Sequence, residues 1–208
     1  MRLEGGTPAA AYVPTTGRLT SALRPGCQVW LEPAADPNRK TANTLILTEL
    51  EHGGLCSVNA ITANRLFHEA VTLNHLAAFP YEKTENEVPY GRSRLDFRLS
   101  NNENTCWVEV KSVTFVDGGV GMFPDAPTAR GRRHLETLAK LTASGDRASA
   151  VFIAQREDAA RFTPYQAIDP VFAETLRQVH RAGVEVHAYR CEVSLDKITI
   201  AAEIPVEL

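Results

Sequence analysis

The sequence predicts a mixed α/β (α+β) chain: a small antiparallel β-barrel, then a mixed sheet with flanking helices. Three observations carry this reading. Short β-like runs broken by Gly and Pro fill Ala9 to Asn59, the apolar spacing turns helical at Ala60, and from there the order is helix, three strands, helix, strand, helix, strand. With 208 residues, 44% of them apolar and 23% charged, the chain has material for one large or two small domains, divided here as 1–59 and 60–208.

In the first region the strand candidates are Ala11 to Val13, Cys27 to Leu31, Thr44 to Leu50 and Leu55 to Val58. They are separated by the turns Thr15-Thr16-Gly17, Arg24-Pro25-Gly26 and His52-Gly53-Gly54, each holding a glycine for positive φ. Asn59 then caps a helix over 60–76, with Ile61, Leu66, Ala70, Leu73 and Leu76 as its apolar stripe. Strands follow over 85–90, 94–99 and 105–113, the last two forming a hairpin through Ser100 to Asn104. Asp117-Gly118-Gly119-Val120-Gly121 is expected to be a flexible loop able to close over a substrate; its glycines do not make a dinucleotide fingerprint. A helix over 127–142 buries Leu135, Leu138 and Leu141, and the continuous apolar run Ala148 to Ala154 is a strand buried on both faces. Asp169-Pro170 opens a helix to about Arg181, stopped by Gly183, and strands over 184–189 and 198–204 close the chain.

Several function classes are excluded. The net charge is 22 − 25 = −3, so no global basic field attracts polyanions, and any nucleic-acid site is a local patch. Cys27, Cys56, Cys106 and Cys191 form no CxxC or His-Cys cluster and read as reduced, mostly buried thiols. No apolar run approaches the ~18 residues of a membrane span and no leader precedes the first strand, so a cytoplasmic protein without membrane contact is expected.

Chemistry concentrates between Tyr90 and Val113. Residues two apart on a strand share a face, which puts Glu109 and Lys111 side by side while Val108 and Val110 face apolar packing. If the hairpin is symmetric about the Asn102/Glu103 bond, Asp96 lies directly across from Glu109, and like charges there are destabilising. A hard divalent cation, Mg²⁺ or Mn²⁺, makes such a pair favourable, and Lys111 beside it can position a water or stabilise charge on a phosphate. The competing reading is an exposed edge-strand face, with Asp96 paired to Arg94 or Arg98; a one-residue slip would also turn Asp96 to the other face. Glu69 on the first helix is a third acidic candidate or a solvated carboxylate. Arg130 and His134, four apart on the second helix beside Arg132 and Arg133, form a cationic edge for phosphate or a solvated basic face. Asp125 and Thr128 are candidate caps or site residues.

At these residues the sequence resembles the sugar fermentation stimulation protein A family. The resemblance runs through Pro14 to Gly17, Pro37 to Thr41, Val58-Asn59, Ala63 to Leu66, Tyr90 to Phe97, Glu109 to Val113, Phe123 to Ala126, Arg130-Gly131, His134-Leu135, Ile168 to Pro170 and Pro205-Val206. It implies an OB-type barrel fused to a mixed-sheet domain of the PD-(D/E)xK nuclease type, DNA binding, and a link to regulation of sugar fermentation, notably maltose metabolism. It maps Asp96 and Glu109 onto metal ligands, Lys111 onto the motif lysine and Glu69 onto the helix acid. The chain departs from the family in three places. Met1 to Gly6 stand where the first barrel strand would already have begun, so that strand is expected to be shortened or missing, and Thr15 and Leu19 replace the more usual Asn and Met.

Two functions follow. One is a Mg²⁺- or Mn²⁺-dependent phosphodiesterase acting on DNA, with Asp96, Glu109 and Glu69 on the metal and Lys111 activating water. The other is a non-catalytic DNA-binding regulator of sugar (maltose) genes with a vestigial site. In both, DNA phosphates meet Arg18, Arg24, Arg39, Lys40, Arg65, Arg130 and His134, and bases stack on Tyr12, Trp30 or Phe67, with core packing the competing role for Trp30. A homodimer is compatible with either.

Overall fold

The computed structural model describes residues 1–36 and 38–208; Pro37, within the Pro37 to Thr41 run, lies outside the described residues. Four strands, β1 (Ala11–Tyr12), β2 (Val29–Pro33), β3 (Asn43–Glu49) and β4 (Leu55–Ser57), form the first sheet. β3 is its hub. β2 pairs with it antiparallel, while β1 and β4 share its other edge, β4 antiparallel and β1 parallel at Asn43 and Thr44. The parallel contact departs from the antiparallel barrel expected, because β2 and its connections lie between β1 and β3 and supply the long crossover a parallel pair needs. Leu19, Ala22, Leu45, Leu50, Cys56 and Val58 fill a small core beneath.

α1 (Ala60–Thr72) starts where expected: the Asn59 side chain accepts the Ile61 N–H. It ends earlier than the apolar stripe suggests. Asn74 takes a left-handed φ of 55°, its N–H reaches Val71 O and the His75 N–H reaches Ala70 O, which closes the helix in a Schellman turn.

The main sheet has the order β13 (Ile198–Glu203), β12 (Glu185–Val193), β10 (Arg147–Ala154), β7 (Thr105–Val113), β6 (Ser93–Ser100), β5 (Lys83–Tyr90). β10 runs parallel to both of its neighbours and is buried along its length except at Arg147, as a continuous apolar run requires. Each face of the sheet carries a core. One is formed with α1, through Phe67, Phe97, Val108 and Ile153; the other with α2 (Ala129–Ala143) and α3 (Pro170–Arg181), through Leu95, Leu138, Phe152 and Phe172. The helices α2 and α3 are capped by Thr128 and Asp169, whose side chains accept the Gly131 and Phe172 N–H groups.

The glycine-rich segment expected to be a flexible loop is instead the turn of a hairpin between β8 (Phe115–Asp117) and β9 (Val120–Phe123), with β11 (Arg161–Pro164) added parallel to β9. Gly118 and Gly119 both have positive φ, the requirement of a tight two-residue hairpin turn, so its glycines fix a conformation here. Among the described residues no helix is long and apolar enough to cross a membrane.

Candidate active site

The β6–β7 ladder has the register of a hairpin symmetric about the Asn102/Glu103 bond: Phe97 faces Val108, Arg98 faces Trp107, Leu99 faces Cys106 and Ser100 faces Thr105. The ladder stops one position before Asp96. There the Asp96 carboxylate takes over as acceptor, receiving the Val110 N–H at 2.8 Å on one oxygen and Asn64 Nδ2 at 2.9 Å on the other. Its neighbour across β5, Glu87, also leaves the ladder, with φ 51°. Leu95 packs in the core with α2 whereas Phe97 and Leu99 pack in the core with α1, so β6 changes faces at Asp96. The edge-strand alternative does not hold, since β7 is central, Arg94 pairs with Glu87 and Arg98 with Glu85.

Glu109 sits beneath, 2% exposed. One of its oxygens receives both the Lys111 ammonium and His134 Nδ1; the other, Oε2, is buried with no hydrogen-bond partner among the described residues. Burial pushes the Glu109 carboxyl up, but the Lys111 charge and the His134 hydrogen bond outweigh it and hold the group below the usual glutamate range. Asp96 is raised, first by burial and then by the charge of Glu109, against the pull of Lys111. The two carboxylates are thus pushed apart in acidity by their surroundings.

Above them opens a cleft of about 550 Å³. Its walls are the barrel segment Thr15 to Gly17, the start of α1 with Ile61 and Asn64, and the run from Phe123 to Gly131; Glu87, Asp96, Glu109, Lys111 and Ser112 line it from the sheet. Of the sequence candidates, Asp96, Glu109, Lys111, Asp125, Thr128 and Arg130 meet here.

Glu69 does not: it is exposed and does not line the cleft, and Asn64 takes the place on α1 next to Asp96. Five residues along a helix turn by about 140° and advance about 7.5 Å, so the two side chains cannot serve one site. His134 is likewise no phosphate contact, because its buried ring is spent on Glu109. Asp125 caps no helix but accepts the Leu19 N–H from the barrel. Arg18 is exposed on that same barrel segment, Arg65 is exposed on α1, and neither lines the cleft. Arg39 and Lys40 are exposed in the barrel, Arg39 lying 4.9 Å over the Tyr12 ring. Arg24 and Trp30 border a separate groove there, and Phe67 is fully buried, which removes it as a stacking platform. The residues that sequence reasoning missed, Asn64 and the orienting role of His134, lie within the runs carrying the family resemblance, though nothing in their spacing assigned those roles.

The comparisons with known proteins cover the whole of this architecture. Residues 61–197 match the family model described as the sugar fermentation stimulation protein RE domain, and residues 1–58 the model described as the SfsA N-terminal OB domain. The sugar fermentation stimulation protein homolog of Moorella thermoacetica is 44% identical over 206 residues, 98% of this chain and 88% of that protein. The homolog of Chloroflexus aurantiacus is 42% identical over 203 residues, 97% of this chain and 78% of that one. Among solved structures, SfsA of Pyrococcus furiosus in complex with Ca²⁺ is similar with a TM-score of 0.89 and 31% identity, over 96% of this chain and 86% of that one. An OB domain leading into a sheet that presents Asp96, Glu109 and Lys111 to one cleft, matched along nearly its full length, places this chain in the sugar fermentation stimulation protein family.

Proposed function

We propose that this protein is a divalent-cation-dependent phosphodiesterase of the PD-(D/E)xK type acting on DNA, with Asp96 and Glu109 holding Mg²⁺ or Mn²⁺ and Lys111 serving the attacking water. The observation that carries the reading is the pair of recessed carboxylates with one oxygen, Glu109 Oε2, buried and unpartnered beside a lysine in an open cleft. A buried acceptor without a donor costs about 1–3 kcal/mol, and facing carboxylates repel; a cation between them answers both. Among the described residues no group of three or more His, Cys, Asp or Glu gathers to hold a metal, so the donor set suits a hard ion that keeps several waters. The similar Pyrococcus furiosus SfsA was solved in complex with Ca²⁺, another hard, oxygen-seeking cation.

When bound, the cation polarises a phosphoryl oxygen and offsets the charge that develops on it. The chain's own residues do the rest. Val110 N–H and Asn64 fix both oxygens of Asp96, and His134 with Lys111 fixes one oxygen of Glu109. The Lys111 ammonium has three N–H groups, one spent on Glu109, and the others orient the water or a phosphate oxygen. In the reaction the water oxygen bonds to phosphorus, the bond from phosphorus to the leaving sugar oxygen breaks, that oxygen takes up a proton, and the attacking water releases one to solvent. Arg130 at the cleft mouth and Arg18 beside it contact phosphates flanking the site. Arg39, Lys40 and Arg65 contribute non-specific, salt-dependent attraction.

The test is titration calorimetry of Mg²⁺ and Mn²⁺ into the wild type, Asp96→Asn, Glu109→Gln and Lys111→Ala, followed by incubation of each with DNA. The expected outcome is metal binding lost in both acid variants and kept in Lys111→Ala, with cleavage lost in all three. A wild type that binds no metal and cuts nothing, yet holds DNA in a salt-dependent way, leaves the regulator of sugar-metabolism genes as the function.

A further inference from the structure

We propose that the cleft admits a single DNA strand and excludes an intact duplex, with barrel residues Thr15 to Gly17 as the fixed wall that makes the selection. This rests on the reading above that DNA reaches Asp96 and Glu109, and it names the form of DNA that does so. The first support is depth. Glu109 is 2% exposed at the base, while Thr16, Ile61 and Arg130 stand exposed on the rim. A cleft of about 550 Å³ is of the size that takes a small ligand, whereas a B-form duplex presents two backbones across grooves of about 12 and 6 Å. Thr15 to Gly17 and Phe123 to Thr128 wall the cleft on either side of Asp96 and Glu109, and on this proposal a rigid duplex meets those walls before one of its phosphates reaches the base. A single strand turns at each nucleotide and can lower one phosphate alone.

The second support is that the wall cannot swing aside as a lid would. It is pinned at three places: the Ala60 N–H, at the start of α1, donates to Pro14 O at 3.1 Å; the Leu19 N–H donates to Asp125 at 3.0 Å; and Ser21 Oγ receives both the Val116 N–H at 3.0 Å and buried Arg156 at 3.1 Å. Gly17 lies so close to Asp125 that an added Cβ would stand 2.5 Å from the carboxylate oxygens, and Leu19 holds a left-handed φ of 55° within the small core. The third support is chemical. Lys111 and Arg130 offer cations for one backbone, and Ile61, 60% exposed, offers an apolar face for an unstacked base, while Asp125 in the wall repels a second backbone.

The experiment places an environment-sensitive fluorophore on Ile61→Cys in a Cys27→Ser background, the other three thiols being buried. The labelled protein is titrated with a short single-stranded oligonucleotide, and separately with the same sequence as a blunt duplex, in Mn²⁺, and the DNA is sized afterwards. The single strand is expected to shift the emission at a concentration about tenfold or more below any response to duplex, which is about 1.4 kcal/mol of selection. Equal responses, or no response to either, overturn the proposal. A selective response with DNA left intact supports it and instead removes the nuclease reading. Gly17→Ala and Asp125→Ala, each checked for cooperative unfolding, are expected to narrow the gap by releasing the wall; a gap unchanged in both overturns the role given to Thr15 to Gly17.

Discussion

The Asp96 carboxyl is raised from its ordinary value of 3.8, so the native state holds that proton more tightly than the unfolded chain. Stability linked to it is therefore full below the ordinary value and is lost as pH rises through the native one. Asp96→Asn, neutral at every pH, is expected to melt above the wild type at pH 7 in chelator, and this difference should vanish in acid below 3.8. Thermal scans against pH check it; a variant that melts lower at neutral pH rejects the burial account. That Asp96 and Glu109 come close was legible in the sequence because the register up to Phe97 and Val108 is arithmetic about one turn; that Asp96 itself leaves the ladder and accepts the Val110 N–H was not. Glu69 and Asn64 were not separable, since both are polar positions on one amphipathic helix and only packing against the sheet turns Asn64 inward. The four-residue repeat groups His134 with Arg130 on one helix face, but depth beneath the surface has no period: Arg130 stands exposed at the cleft while His134 is buried against Glu109 on a strand.

At the level of elements, Asp169 ties the starts of two helices together. It caps α3 through the Phe172 N–H, accepts the Thr128 N–H ahead of α2, and pairs with Arg132, while only 3% exposed. Asp169→Ala is expected to cost about 2–4 kcal/mol, a lost cap plus buried donors left unpaired, read as a lower urea midpoint at constant slope. Asp169→Asn, which keeps the cap, should cost less. The cap and the proline after it were readable as a helix start; the reach to α2 was not, because it joins residues 41 positions apart. The β8–β9 hairpin was hidden for a different reason. Its strands are three and four residues long, too short for alternation to register, so in the sequence the Gly118-Gly119 pair reads as mobility although it encodes a turn.

For the whole molecule, the two regions share both a core and a seam. Leu47 of β3 belongs to the core built on α1, the Ser57 N–H donates to Gln155 O, and Gln155 Nε2 reaches Asn59 O and Ser112 Oγ. Calorimetry is expected to show one unfolding transition, with a van't Hoff enthalpy equal to the measured one; two resolved transitions would show that the seam does not couple the regions. This coupling was invisible in the sequence, where the shift of period at Ala60 reads as a boundary.

The change of face in β6 gives Asp96 an unusual mechanical position. Its neighbour Leu95 is anchored in one core and Phe97 in the other, so this carboxylate is where the two packings are sewn together. A void opened beside either neighbour, on either side of the sheet, is therefore expected to disturb the Asp96 carboxylate as well.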